Sequence, residues 1–295
     1  MKYIGINGGI VEAAEAVIPV MDHGLLYGMG LFETFRTYKG KPFLIERHLN
    51  RLMDSCRELG IAHRADAERI GGWISELMEA NDLQDAYIRY TVTAGEGLLG
   101  LPAGDYLEPS EILFAKELPA ANEMLYEKGR ALRRLSLPRN TPESSVRLKS
   151  LHYMNNILAK RELAGYPGHS DGSIEGLMLT AAGEVAESIV SNVFFVKAGR
   201  LYTPDVGTGI LPGITRAVVL ELAADLGIKA EEGRYSWEFF TGADEIFTTG
   251  SVQEIVPVTT LIGAEDETLV IGQGLAGPIT RTLLSAYRRK AGQKA

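Results

Sequence analysis

Apolar and polar positions alternate with two different periods along this chain, and each change of period marks an element. The opening KYIGING and VIPVMD read as short strands on either side of an acidic turn. LFETFRTYKGKPFLI alternates with period two and breaks at Lys39-Gly40-Lys41-Pro42, which predicts a hairpin. From about Glu46 to Leu59 the spacing becomes helical. Leu49, Leu52, Met53, Cys56 and Leu59 share one face, and Gly60 is a natural stop. A second helix over about Ala67–Ala80 carries Ile70, Trp73, Ile74, Leu77 and Met78 on one stripe. Strand-like AYIRYTVTA, glycine-rich GEGLLGLPAGD and strand-like EILFAKEL follow.

Periodicity then lapses through Leu118-Pro119-Ala120-Ala121-Asn122, small and proline-bearing. This predicts a small domain over 1–117, a linker over 118–124 and a larger domain over 125–295. In the larger part, RALRRLSL reads as a strand, PRNTPESS as a turn, and VRLKS as a strand running into the helix MNNILAKRELAG. GLMLTAAGEVAES and SNVFFVKAGRLYTP are β-rich, the latter a hairpin at Ala198-Gly199-Arg200. Pro212-Gly213 opens a helix over about Ile214–Leu226, ended by Gly227. ADEIFTTGSVQEIVPV is followed by a C-terminal helix near Gly277–Arg289. No internal repeat interrupts the pattern, which describes two α+β domains, the second larger.

Composition narrows the function classes. The 295 residues are 45% hydrophobic and 23% charged, an ordinary globular balance. Cys56 is the single cysteine, so no internal disulfide points to an oxidising compartment. No apolar run reaches the ~18 residues of a membrane span. Glu12 and Glu15 interrupt what would otherwise resemble a leader peptide. A cytoplasmic, non-membrane protein is expected. The net charge of −8, without a basic run, disfavours nucleic acid as a partner, but leaves room for a local cationic pocket that takes a small anion.

Common motifs add little. Gly95-Glu96-Gly97-Leu98-Leu99-Gly100 spells a dinucleotide fingerprint, but Leu101-Pro102-Ala103-Gly104 follows where a helix must begin. His23, His48, His63, His152 and His169 are far apart, so no metal site is expected. No P-loop is present. The turn Gly207–Gly213 leading into Ile214-Thr215-Arg216 is more suggestive. Free backbone N–H groups at a helix start suit a phosphate, and the same letters also spell an ordinary tight turn capped by Thr215. Lys149 lies between VRL and a helix. With Arg147 two residues back, a shared strand face would depress its pKa, as a Schiff-base nucleophile needs. Taken alone, the local pattern favours a surface lysine. Likewise Arg51, in Arg47-His48-Leu49-Asn50-Arg51, and Glu187, in Val185-Ala186-Glu187-Ser188, read alone as solvated charges.

These pieces occur together in one order. DHGLLYGMGLFETFR, ERHLNRL, NTPESSVRLKSLHYMNNILAKRE, EVAESIVSNVF, TGILPGITR and ADEIFTTGSVQEIVPV resemble the fold-type IV pyridoxal-phosphate enzymes, class IV aminotransferases among them, over nearly the whole chain. The resemblance implies a small N-terminal α/β domain and a larger C-terminal domain with a β-barrel-like core and flanking helices. It also implies a homodimer that binds pyridoxal 5'-phosphate and acts on a small amino substrate. Lys149 resembles the lysine joined to the cofactor, which also moves the Cα proton. Arg51 resembles the arginine that clamps the phosphate. Ile214, Thr215 and Ser251 resemble its further phosphate contacts, and Glu187 the acid facing the pyridine nitrogen. Tyr153 resembles a residue packed near the ring, and Asn192 belongs to the block of Glu187. Tyr27, Phe32 and Arg89 match substrate-pocket positions of branched-chain aminotransferases, and Arg36 with Arg89 are the candidates for substrate carboxylates. Leu99 and Leu101 stand where D-amino acid aminotransferases carry an Arg-x-His pair, a departure from that branch. The spellings around Phe32 and Lys149 look closest to the Gram-positive type of 4-amino-4-deoxychorismate lyase. That likeness implies release of pyruvate and formation of 4-aminobenzoate for folate. The alternative is an aminotransferase for branched-chain L-amino acids or for D-amino acids.

Overall fold

The computed structural model describes residues 1–120, 122–168 and 172–293. Ala121 of the expected linker and His169 lie outside the described residues. The chain divides into two compact units, Met1–Ala120 with Leu148–His152, and Ala121–Arg147 with Tyr153–Ala295.

The first unit is one six-stranded sheet with helices. Its elements are β1 (Tyr3–Ile6), β2 (Gly9–Glu12), α1 (His23–Tyr27), β3 (Gly30–Tyr38), β4 (Lys41–Pro42), α2 (Ile45–Glu58), α3 (Ala67–Ala80), β5 (Ala86–Thr93) and β6 (Ser110–Glu117). The strand order is β2-β1-β6-β5-β3-β4 and every pairing is antiparallel. Side chains alternate across a strand. In β3, Leu31 and Phe35 therefore turn to the core shared with Leu49, Leu52 and Cys56 of α2 and Ile70, Ile74 and Leu77 of α3. The two helices fall within one residue of the positions their spacing predicts. Asp22 caps α1, accepting from Gly24 N–H at 2.7 Å and from the Thr93 hydroxyl at 2.6 Å. VIPVMD is not a strand. Val17 and Val20 are exposed, and Pro19 cannot donate to a ladder.

Residues 148–152 return to this sheet. Phe32 N–H donates to the Lys149 carbonyl and Leu151 N–H to the Gly30 carbonyl, each at 2.9 Å, around a bridge between Leu31 and Ser150. Gly30 permits this approach, because a Cβ there would sit 2.7 Å from the Leu151 side chain and 2.9 Å from the Val92 carbonyl. VRLKS is thus a single bridge with irregular flanks rather than the strand its alternation predicts, meeting β3 at its start and forming no ladder.

The second unit comprises α4 (Glu123–Lys128), β7 (Arg130–Arg134), α5 (Met154–Ala164), β8 (Ile174–Leu179), β9 (Val185–Ser188), β10 (Asn192–Lys197), β11 (Arg200–Pro204), α6 (Ile214–Asp225), β12 (Ala230–Gly233), α7 (Trp237–Thr241), β13 (Glu245–Gly250), β14 (Glu254–Ile262), β15 (Thr268–Val270) and α8 (Pro278–Lys290). Its nine-stranded mixed sheet runs β12-β11-β10-β13-β14-β7-β8-β9, with β15 on β14. Glu184, just before β9, bridges Ser236, and Val185 N–H donates to the Tyr235 carbonyl at 2.8 Å. The two ends of the strand order are thereby tied, giving the barrel-like core that the family resemblance implies. Inside it lie Leu132, Leu177, Val185, Val193, Phe195, Ile246 and Val258. The β10–β11 hairpin turns at Ala198-Gly199 as its sequence predicts. Among the described residues, no helix is long and apolar enough to cross a membrane.

Candidate active site

Six of the candidate residues belong to the first unit. Lys149 is half-buried with its Nζ 4.5 Å from the centre of the Phe32 ring, and the Arg89 guanidinium lies 3.6 Å from the same ring. Phe32 is 3% exposed, so one buried aromatic is flanked by two cations, which its π-face attracts. Arg89 also donates to the Thr91 hydroxyl at 3.3 Å. Arg36 reaches the Thr37 carbonyl at 3.5 Å and covers the Tyr38 ring at 4.4 Å. The β3–β5 register pairs Thr34 with Arg89 and Arg36 with Tyr87, which places both arginines on the sheet face away from the helices. The Tyr27 hydroxyl accepts from Gly100 N–H at 2.9 Å, anchoring the glycine-rich loop.

Arg51 occupies the opposite face, on α2. It donates through Nε and Nη2 to the two oxygens of Glu33, at 2.8 and 2.6 Å. His48 Nδ1 meets the same carboxylate at 2.6 Å. Burial alone would raise the Glu33 pKa. The Arg51 charge and the His48 contacts outweigh it and hold the carboxyl at about 2. Burial lowers the His48 pKa, with Arg51 and Lys149 acting in the same direction and Glu33 against them. His48 is therefore a neutral donor at pH 7.

Six further candidates belong to the second unit. Glu187, on β9, is 5% exposed. Its Oε1 accepts from Arg139 Nε at 2.8 Å, and its Oε2 accepts from Asn192 at 3.2 Å and from Leu211 N–H at 3.0 Å. Asn192 also donates to the Leu211 carbonyl at 2.9 Å. Burial lowers the Arg147 pKa to about 10, with Arg139 adding to the effect and Glu187 and Glu143 opposing it. Tyr153 precedes α5, accepting from Ile157 N–H at 3.0 Å. Arg147 and Lys149 do not share a strand face. The Arg147 guanidinium donates to the carbonyls of Gly209 and Asn140 within the second unit, because no regular strand aligns the two side chains.

At the start of α6, Gly213 holds the cap position and no side chain caps the helix. A Cβ there would collide with Asn192 Oδ1, so glycine is required by close approach. Ile214 and Thr215 follow, both buried, and the Thr215 hydroxyl lies 3.3 Å from that of Ser251. The Thr249 and Ser188 hydroxyls are buried with no partner. An uncapped helix start beside a hydroxyl pair and an orphaned threonine fits a phosphate-bearing group, and a buried acid fits the polar atom of a heterocycle.

The chain matches the family described as Amino-transferase class IV over residues 30–261. It belongs to that family. Among class IV relatives, the aminodeoxychorismate lyase of Bacillus subtilis (strain 168) is 42% identical over 258 residues, spanning 87% of this chain and 85% of the relative. The structure of 4-amino-4-deoxychorismate lyase from Pseudomonas aeruginosa superimposes with a TM-score of 0.82 at 31% identity, over 97% of this chain and 98% of the other. The T.th. branched-chain amino acid aminotransferase with pyridoxamine 5'-phosphate gives a TM-score of 0.85 at 30% identity, over 99% and 95%. The class IV resemblance and its fold, read from six sequence blocks, are thus borne out.

Sequence reasoning missed Glu33 and His48 as neighbours of the candidate Arg51, and Arg139 as the partner of the candidate Glu187. The one available signal for Glu33 is an acid at an inward position of a strand whose inward neighbours, Leu31 and Phe35, are core residues. Arg139 carried no signal, since its partner Glu187 is 48 positions away.

Proposed function

We propose that this class IV enzyme is a pyridoxal-phosphate-dependent 4-amino-4-deoxychorismate lyase, releasing pyruvate and forming 4-aminobenzoate. The identity of 42% across 87% of the chain to a lyase of that name carries the reading. The leucines at 99 and 101 support it, because they offer no cation of the kind the D-amino acid branch uses. The cofactor is pyridoxal 5'-phosphate, and the uncapped α6 start, the Thr215–Ser251 hydroxyl pair and the buried Glu187 fit it. When bound, it supplies an aldehyde for an amine and a protonated ring that accepts an electron pair.

The protein's residues divide the remaining work. Ile214 and Thr215 offer N–H groups at the positive end of the α6 dipole, and Ser251 a hydroxyl. Arg51, its fork fixed by Glu33, offers a cation to the same phosphate. Glu187 would face the ring nitrogen and hold a proton there, and Asn192 and Leu211 N–H help to fix the acid. Tyr153 would pack beside the ring. The Lys149 amine carries the cofactor and then takes the proton from the amine-bearing carbon of the substrate. The adjacent C–O bond would then break with its electron pair on oxygen; the departing enolate takes a proton at carbon and becomes pyruvate, and its loss makes the product ring aromatic. Tyr27, Phe32, Arg36 and Arg89 line the substrate side, with the two arginines facing the two carboxylates. The active form in this reading is a cytoplasmic homodimer of two-domain subunits.

The similarity to a branched-chain aminotransferase favours a second reading, amino-group transfer. One comparison separates them. The purified holoenzyme is given aminodeoxychorismate without any keto acid, and in parallel L- and D-amino acids with 2-oxoglutarate. Pyruvate appearing in the first reaction supports the lyase. Turnover confined to the second overturns it.

A further inference from the structure

A carboxylate has about four acceptor sites. Glu187 accepts three hydrogen bonds, two at Oε2 from Asn192 and Leu211 and one at Oε1 from Arg139. One site remains, and it is on Oε1. Arg147 does not fill it. Its Nε is 3.9 Å from that oxygen, beyond hydrogen-bonding range, and donates instead to the Gly209 carbonyl. The direction of the vacant site is therefore set by the arginine on the same oxygen together with the two donors on Oε2.

Arg139 is itself held at both ends. Its backbone N–H donates to the Leu179 carbonyl at 2.8 Å. Its Nη1 donates to the amide oxygens of Asn155, Asn156 and Asn140, at 2.8, 3.2 and 3.3 Å. Those amides are pinned in turn. Asn155 donates to the Pro138 carbonyl at 3.0 Å, and Asn156 to the Ile189 carbonyl at 2.5 Å. Arg139 is 7% exposed. A buried ion pair costs desolvation that an apolar pair of the same volume would avoid. Stability alone does not call for one here, still less for three asparagines built around it.

We propose that Arg139 is a positioning residue for Glu187, orienting Oε1 so that its one vacant acceptor site meets the ring nitrogen of the bound cofactor. This rests on the reading that Glu187 faces that nitrogen. Arg139 touches neither substrate nor cofactor, and acts through the acid.

The test uses holoenzyme loaded with pyridoxal 5'-phosphate labelled with ¹⁵N in the ring, and reads the nitrogen resonance by NMR between pH 6 and 9. In the parent enzyme the resonance is that of a protonated nitrogen throughout. Arg139→Met moves it towards the unprotonated position at the upper end of the range. It also lowers kcat roughly 10–100-fold with KM nearly unchanged. Arg139→Lys, which keeps the charge but not the fork, recovers part of both. Asn155→Ala removes only the far anchor of the guanidinium, moves the resonance less but in the same direction, and serves if Arg139→Met does not fold. Glu187→Gln tests the reading beneath. If its resonance stays with the parent's, Glu187 does not face the ring and that reading falls. If Glu187→Gln moves the resonance while Arg139→Met and Asn155→Ala leave it in place, the proposal for Arg139 is overturned and the reading of Glu187 stands.

Discussion

Glu33→Gln is the substitution whose effect the structure allows to be worked furthest. The carboxylate is buried against two Arg51 nitrogens and one His48 nitrogen. Its pKa stands at about 2 in the folded chain against an ordinary 4.5. At about 1.4 kcal/mol per pH unit, that gap corresponds to ~3 kcal/mol of stability. Because the folded value is the lower one, this stability is complete above pH 4.5 and is lost as the pH falls from 4.5 towards 2. Glutamine fills the same volume, accepts through one oxygen and carries no charge, so it leaves the Arg51 guanidinium without its anion. Breaking a buried pair from one side costs about 3–5 kcal/mol. Arg51 is 15% exposed, so water relieves part of this and the lower figure applies. Urea unfolding of the two proteins at pH 7, 5 and 3.5 measures it, in a Trp237→Phe background that leaves Trp73, packed in the first unit's core, as the reporter. The expected gap is about 3 kcal/mol at pH 7 and 5 and clearly smaller at pH 3.5. A gap of the same size at all three pH values refutes the assignment of the depressed pKa to Glu33.

Three further substitutions read the candidate site. Lys149→Ala removes the amine that carries the cofactor, so the absorbance of the covalently held aldehyde disappears while the thermal melt of the apoprotein changes little. Arg51→Ala weakens binding of pyridoxal 5'-phosphate roughly 10–100-fold, as loss of a charge-assisted contact predicts. It leaves binding of pyridoxal, which lacks the phosphate, unchanged, and equilibrium titration of the apoprotein with both compounds checks this. Gly213→Ala drives a methyl group into Asn192 Oδ1, so it costs about 1–3 kcal/mol in thermal unfolding and weakens cofactor affinity.

Periodicity made α2, α3 and the β10–β11 hairpin legible because each obeys one local rule over its whole length. VRLKS failed for the converse reason. Its alternation is real, but it meets only the start of β3, so two hydrogen bonds form where a strand needs a ladder. Without a strand, Arg147 shares no face with Lys149, and its guanidinium goes to the Gly209 and Asn140 carbonyls. α4 begins at the end of the segment read as a linker and gave no signal, since six residues are too few to display a helical stripe. At the site, the turn before α6 could be recognised from Pro-Gly and a helix start, while Lys149, Arg51 and Glu187 each looked like solvated charges until six blocks were taken together. Burial is what distinguishes them, and burial of a charge depends on partners remote in sequence. Glu33 and Arg51 are 18 positions apart, and Arg139 and Glu187 are 48 apart.

The two units treat their charged candidates by one rule with the signs exchanged. In the first, the candidate ligand is a cation, Arg51, and its buried support is an acid. In the second, the candidate ligand is an acid, Glu187, and its buried support is a cation, Arg139. An unsupported charge of either sign in these positions would be free to swing into solvent, and a bound group would have to order it. An arginine side chain carries about 2 kcal/mol of rotamer freedom, and both arginines surrender it when the chain folds. What remains at each site is a donor or acceptor already aimed, which is the condition under which electrostatic contacts add most to catalysis. The partners therefore contribute direction more than charge. That is why the test of Glu33 is a pH profile of stability, whereas the test of Arg139 is the protonation of an atom that Arg139 never touches.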